Sequence, residues 1–427
     1  MHLKATSIEY DNGTIRVLDQ TLLPHVEEWV ESKTIEDMYD IIKALKVRGA
    51  PLIGIAAAFA LAQYAKQGAS IEELRQAGAR LIDARPTAVN LKYCVDRILE
   101  AITQANDSEI AVLVAKGIFE EDVALCQQIA EHGAALLPNN AIVMTYCNTG
   151  GLATAGVGTA LGVIMEAHKQ GKIREVYVCE TRPLLQGGRL TTWELKRAGI
   201  PYKLIFDNMA AQVLRDNGVS AVIVGADRIV GNGDVANKIG TYSLACLAKM
   251  HRVPFYVAAP GPTLDENCRS GADIVIEHRS PLEVQGALGS QWAPEGDVHN
   301  PAFDVTPAKL ITLYILDTGN VRPDALFAKR GNALASPLLG SPVVSPVVGS
   351  PVVGSPKEDI LVGFISSSFE DPPPSQPRER SKPPILDAYG NAQQRRERPR
   401  SVGSPGGSQS ASPRGESPIF GRKLSRG

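Results

Sequence analysis

The sequence predicts an α/β protein built on a Rossmann-like, doubly wound parallel sheet, preceded by an N-terminal strand-plus-helix domain and followed by a disordered tail. Three observations carry that expectation. First, short apolar runs alternate with segments of helical period from residue 141 onward: AIVMTYC (141–147), EVYVCE (175–180), YKLIF (202–206), AVIVGAD (221–227), FYVAAP (255–260) and ADIVIEH (272–278). Strands apolar on both faces, each followed by a helix, predict a parallel sheet covered on both sides, and right-handed crossovers make it doubly wound. Second, the pattern before residue 135 differs: SIEYDNGTIRVLDQTLLP, with its Asp-Asn-Gly turn, is strand-rich and leads into long helical stretches. Third, 15 of the 29 prolines fall from Ser336 onward, among repeated Ser-Pro-Val-Val units. The division is therefore an N-terminal strand and helical domain over 1–135, a Rossmann-like catalytic domain over 136–335, and a low-complexity tail over 336–427. Within that tail only Ile360–Phe369 has the apolar character to dock on anything.

Composition removes several classes of function. The 427 residues carry 44 Lys+Arg against 46 Asp+Glu, a formal net charge of -2, so there is no global bias toward nucleic acid or acidic membranes. The six cysteines, at 94, 126, 147, 179, 246 and 268, are widely spaced and suggest neither a disulfide framework nor a metal site. A reducing, cytoplasmic setting fits them. The longest uncharged apolar run, Pro51 to Tyr64, is shorter than the roughly 18 residues of a spanning helix, and the first residues have no apolar leader. A soluble, cytoplasmic protein is expected.

In open parallel sheets ligands bind beyond the carboxyl ends of the strands, where the strand order reverses. The first strand ends at Cys147 and the fourth at Asp227. With the order 3-2-1-4-5-6 these two strands are neighbours, and a thiol and a carboxyl face each other across the crevice. A carboxyl buried after Val-Gly-Ala should be held protonated as a general acid, and a thiol at a helix start is favoured as thiolate. Structural readings remain open at this point: an inert core thiol for Cys147, a cap for Asp227. Cys94, Cys126, Cys179 and Cys246 sit in apolar patterns and are read as core.

Anion-holding groups are also present. Arg48-Gly49-Ala50-Pro51 precedes a long apolar helix, so free backbone N–H groups and a guanidinium can converge on a phosphate. Asn237-Lys238 is expected to open a helix reaching Met250. Arg85 and Gln186 are polar groups in loops that spacing alone does not place. Gly156, Gly158 and Gly162 suggest a dinucleotide fingerprint with Glu180 as its acid, but the third glycine is one residue late and the group starts nine residues after Cys147. These glycines are read as close-packing positions inside a helical pattern, and nicotinamide binding as the weakest reading.

RGAPLIGIAAAFALA, TYCNTGGLATAGVGTALGVI, ETRPLLQGGRLTTWEL, GADRIVGNGDVANKIGTYSLA and APEGDVHNPAFDVTPAKLIT together resemble the methylthioribose-1-phosphate isomerase family from the first residues to about 330. The resemblance implies a cofactor-free, metal-free aldose–ketose isomerase of methionine salvage, cytoplasmic and homodimeric, with a sugar phosphate as substrate. It implies Asp227 as proton donor and Cys147 as transition-state stabiliser, with Arg48, Gly49, Ala50, Arg85, Gln186, Asn237 and Lys238 binding substrate. Tyr146 departs from the His that often precedes the Cys. Ribose-1,5-bisphosphate isomerases and non-enzymatic regulatory subunits of the translation-initiation nucleotide-exchange factor share the pattern and remain as alternatives.

Overall fold

The structure, a computed structural model, describes residues 2–287 and 289–327; the tail from 336 and its Ile360–Phe369 stretch lie outside them. The chain opens with β1 (His2–Lys4), β2 (Ile8–Asp11), β3 (Thr14–Leu18) and β4 (Trp29–Ser32), an antiparallel sheet in sequential order. Asn12 and Gly13 both take positive φ in the two-residue β2–β3 turn, the conformation that the Asp-Asn-Gly signal anticipates. Ile8, Tyr10, Ile15 and Val17 are buried from this sheet against helices.

Five helices follow: α1 (Ile35–Lys43), α2 (Ala50–Lys66), α3 (Ile71–Asp83), α4 (Val89–Ala105) and α5 (Ile110–Ala134). Reciprocal capping boxes start two of them, Thr34 with Asp37 for α1 and Ser70 with Glu73 for α3. α2 is apolar nearly all round and accordingly sits in the centre of the cluster, buried from Leu52 through Ala62. α5 belongs to two cores. Its first half buries Ala111, Ala115, Ile118 and Phe119 among the other helices, and its second half buries Ile129 and Ala134 against the next layer.

That layer contains β5 (Ala141–Thr145), α6 (Ala160–Lys169), β6 (Ile173–Cys179), α7 (Thr192–Arg197), β7 (Tyr202–Ile205), α8 (Ala210–Asp216) and β8 (Ala221–Val224). Then come β9 (Arg228–Val230), β10 (Val235–Lys238), α9 (Thr241–Met250), β11 (Phe255–Ala258) and β12 (Leu264–Asp265). A hairpin, β13 (Gly286–Ala287) with β14 (Ser290–Gln291), precedes β15 (Phe303–Thr306), β16 (Leu313–Leu316) and β17 (Gly319–Val321). The main sheet runs β17-β16-β11-β8-β5-β6-β7, parallel except for β17. Counted from β5, that is the expected 3-2-1-4-5-6 order with one antiparallel edge strand added. β5 and β8 are neighbours, with Val143, Met144 and Thr145 opposite Ala221, Val222 and Ile223.

Three local expectations are corrected. The sixth parallel strand is Leu313–Leu316, not 272–278, which forms a short 3₁₀ turn and an irregular segment with Val275 exposed. Asn237 and Lys238 end β10 instead of opening a helix; Gly240, at φ +103, turns the chain into α9 only at Thr241. Gly156 and Gly158 lie in the loop between β5 and α6, not within a helix, although close packing does explain them. A Cβ on Gly156 would come within 2.6 Å of Cys126 on α5.

Candidate active site

The switch point between β5 and β8 opens into a cavity enclosing about 820 Å³ of space free of atoms, part of it open to solvent. All nine residues singled out in the sequence line it: Arg48, Gly49, Ala50, Arg85, Cys147, Gln186, Asp227, Asn237 and Lys238. Six parts of the chain supply them. The N-terminal turn of α2 brings Arg48 to Ala50, the segment after α3 brings Arg85, the ends of β5 and β8 bring Cys147 and Asp227, the start of the π-helical turn Gly187–Thr191 brings Gln186, and β10 brings Asn237 and Lys238.

Cys147 is buried and takes φ +61, a left-handed conformation that turns the chain sharply after β5. Two threonines hold this backbone. The Cys147 N–H donates to Thr181 Oγ1 at 2.8 Å, and Thr191 Oγ1 donates to the Cys147 carbonyl at 2.6 Å. Thr181 is itself left-handed, and its N–H donates to Asp207. Cys147 is not at a helix start, since α6 begins at Ala160, so a helix terminus does not supply the expected thiolate stabilisation. The charge beside it is Lys238. Cys94, Cys126 and Cys179 are core thiols, pushed up by burial, Cys94 to about 12; Cys246 is only half-buried.

Burial raises Asp227 above the ordinary carboxylate range, opposed by the positive charges of Lys238, Arg85 and Arg48. Its residual exposure lines the cavity, so it is enclosed by protein without being sealed from a ligand. Burial likewise lowers Lys238, while Cys147 and Asp227 favour its charged form. Lys238 Nζ donates to the Ala302 carbonyl at 3.1 Å and lies 4.5 Å from the centre of the Phe303 ring. An acid whose neutral form is favoured by burial, beside an ammonium whose charge is tempered by burial, is a pair suited to proton transfer.

The cation cradle is built from several directions. Arg48 donates from both Nη atoms to the Asn148 carbonyl, at 3.1 and 3.0 Å, and from Nη2 to Asn148 Oδ1 at 2.5 Å. Arg85 pairs with Glu277 at 3.0 Å, and Glu277 also holds Arg279 at 3.0 Å. Arg48 Nε, Arg85 Nε and Gln186 Oε1 are buried with no protein partner. Unsatisfied buried polar atoms are rare and costly, and three at one cavity suit it to a polar ligand. Arg279 and the apolar Leu45 and Leu184 also line the space. They were not anticipated. Arg279 follows the run misread as a sixth strand, and a basic residue at a presumed strand end was the available signal.

Positive φ and close neighbouring atoms favour glycine at two positions here. Gly49 caps α2 at φ +98, and a Cβ there would lie 2.6 Å from the backbone of Ala153. The Gly49→Ala variant is therefore expected to lose about 1–3 kcal/mol of stability and to bind anions more weakly, measured by denaturant melts and phosphate titration. Gly240 faces the Tyr146 ring, whose hydroxyl donates to the Ile239 carbonyl at 2.9 Å. Tyr146 thus ties the end of β5 to the turn carrying Lys238.

The fold and the cavity define a Rossmann-like α/β protein in which an acid and a thiol line one cation-rimmed cavity at a sheet switch point. Comparison with known proteins agrees. The pattern of the Initiation factor 2 subunit family matches residues 46–323. A methylthioribose-1-phosphate isomerase of Yersinia pestis (strain Pestoides F) is 52% identical over 333 residues, 77% of this chain and 96% of that protein. The crystal structure of 5-methylthioribose 1-phosphate isomerase from Pyrococcus horikoshii OT3 superposes with a TM-score of 0.71 at 41% identity, covering 78% of this chain and 96% of that one. That of translation initiation factor eIF-2B, subunit delta, from A. fulgidus gives 0.67 at 43% identity, over 75% and 97%. The chain belongs to the Initiation factor 2 subunit family and, within it, to the methylthioribose-1-phosphate isomerases.

Proposed function

We propose that the protein converts 5-methylthioribose 1-phosphate into 5-methylthioribulose 1-phosphate in methionine salvage, as a cytoplasmic homodimer and without a cofactor. The observation that carries this reading is the convergence of Cys147 and Asp227, from neighbouring strand ends, on one cavity ringed by Arg48, Arg85 and Lys238. The family relationship to proteins named for this reaction supports it. A regulatory subunit would have no need of a buried acid, a thiol and unsatisfied cation donors around one enclosed space.

The chemistry explains why such a site is required. A phosphate on the anomeric oxygen locks the furanose, so the ring cannot open by loss of the anomeric proton. Asp227 in its acid form gives a proton to the ring oxygen and the C1–O4 bond breaks. The hydrogen on C2 then moves to C1, as a proton through a base or as a hydride, and the C2 hydroxyl gives up its proton as it becomes a carbonyl. Carbon 1 is reduced as carbon 2 is oxidised, so no external oxidant or reductant enters the balance. Cys147 serves the transfer as base or as electrostatic partner, and Lys238 stabilises the negative charge that develops near it. Arg48, Arg85, Asn237, Gln186 and the N–H groups at Gly49 and Ala50 hold the phosphate and the sugar hydroxyls.

Side-by-side turnover of 5-methylthioribose 1-phosphate and ribose 1,5-bisphosphate tests this reading. The methylthio sugar is expected to react at least tenfold more efficiently, because Leu45 and Leu184 offer apolar wall to an uncharged substituent. Preference for the bisphosphate, or no turnover of either, would overturn it.

A further inference from the structure

We propose that Glu194 is a positioning residue that sets the geometry of Arg48 through the side-chain amide of Asn148; the inference rests on the reading of Arg48 as a phosphate-holding group. Glu194 stands at the start of α7, immediately after a π-helical turn at Gly187–Thr191, and does not line the cavity. Glu194 and Asn148 are only 5% and 4% exposed. A carboxylate in such a place is costly unless each oxygen is used.

The carboxylate is met by three donors. Asn148 Nδ2 donates to Glu194 Oε1 at 2.7 Å, and the backbone N–H groups of Gly151 and Leu152 donate to the same carboxylate. The carboxylate occupies the space that a Cβ on Gly150 would need. Burial raises the pKa of Glu194, opposed by the Asn148 amide, by the charge of Arg48 and by the Gly151 and Leu152 N–H groups. Already accepting from backbone donors, the carboxyl draws the NH₂ side of the Asn148 amide toward itself, and Thr191 Oγ1 accepts from the same nitrogen at 3.3 Å. Asn148 Oδ1 must then face the other way, where Arg48 Nη2 donates to it. The opposite amide orientation would set oxygen against carboxylate and NH₂ against guanidinium. Three bonds to Asn148 thus fix the plane of Arg48 and leave its buried Nε without a protein partner at the cavity. The chain of influence runs from a carboxylate remote from substrate, through one amide, to an anion-binding guanidinium.

A charge-transposition experiment on the full chain tests it. Glu194→Gln removes the carboxyl group, and Asn148→Asp sets two carboxylates face to face. Combining both exchanges amide and carboxylate, restoring donor to acceptor along the chain and an acceptor for Arg48 at unchanged total charge. The measurements are KM and kcat with 5-methylthioribose 1-phosphate, the dissociation constant of inorganic phosphate, and the melting temperature. Each single change is expected to raise KM and weaken phosphate binding about tenfold or more, with kcat altered less than about threefold, and the double change to recover both within about threefold. Unchanged phosphate affinity in the singles, a fall in kcat alone, or a double variant no better than the worse single overturns the proposal. If Glu194→Gln alone does not fold, Asn148→Asp and the double variant decide. Absence of wild-type turnover would sink the isomerase reading, while the phosphate constants would still decide the relay.

Discussion

The Asp227→Asn variant is expected to lose turnover by about 10²-fold or more while melting no lower than the wild type at neutral pH. The first half follows from the reaction: an amide has no proton to give the ring oxygen, and no other acid lining the cavity is placed at the end of β8. The second half follows from the direction of the pKa shift. Burial raises the folded-state pKa of Asp227 above its unfolded value, so the folded protein favours the neutral acid. As pH climbs from the unfolded value to the folded one, the unfolded chain ionises first and the folded state loses relative stability. A neutral amide is spared that loss. For the same reason the wild-type rate should fall as pH rises through the raised pKa of Asp227, because the acid form does the work. Full activity in Asp227→Asn, or a rate that climbs with pH through that range, would remove the acid from the mechanism.

Cys147→Ser carries the second large effect, a fall of about 10²-fold or more in turnover with the circular dichroism spectrum preserved. Serine is close to cysteine in shape, and the left-handed backbone at 147 is held by Thr181 and Thr191 through main-chain atoms that the substitution does not touch. What changes is the sulfur. A hydroxyl is far harder to ionise than a thiol and less polarisable, so it is a poorer base and a poorer partner for charge developing between C1 and C2. A serine variant within threefold of the wild type would show that the sulfur takes no part.

The sheet was legible in the sequence because its strands are apolar on both faces and separated by helical spacing, and the common 3-2-1-4-5-6 order of such sheets, which this one adopts, sets positions 147 and 227 side by side. The failures have local physical causes. ADIVIEH has the β-branched content of a strand, but the slot beside β11 goes to Leu313–Leu316, and propensity does not tell which of two apolar runs finds a partner. Asn237-Lys238 was assigned to a helix although Gly240, three residues on from Asn237, marks the true boundary. Asn148 adjoins Cys147, yet its partners Arg48 and Glu194 lie 100 and 46 residues away. No periodicity carries information across such distances. The arginines of ETRP and QGGR have a structural part that the sequence does not signal. In the fold Arg182 donates to the carbonyls of Val284 and Pro183, and Arg189 to those of Gln20 and Leu23, so both clamp loops around the cavity.

The long helix α5 gives one half of its length to each of two hydrophobic cores. Its Gly133 comes so near Val163 that a methyl group there would collide with it and crowd Ile315, and His132 Nδ1 lies 2.9 Å from the Leu316 carbonyl. A break after this helix would leave its last turns greasy and bare, and a break before it would strip the helical cluster of a wall. The two halves are consequently welded rather than hinged, and are expected to melt in a single transition. The arginines contributed by the first half reach the chemistry on the second only for as long as that weld holds.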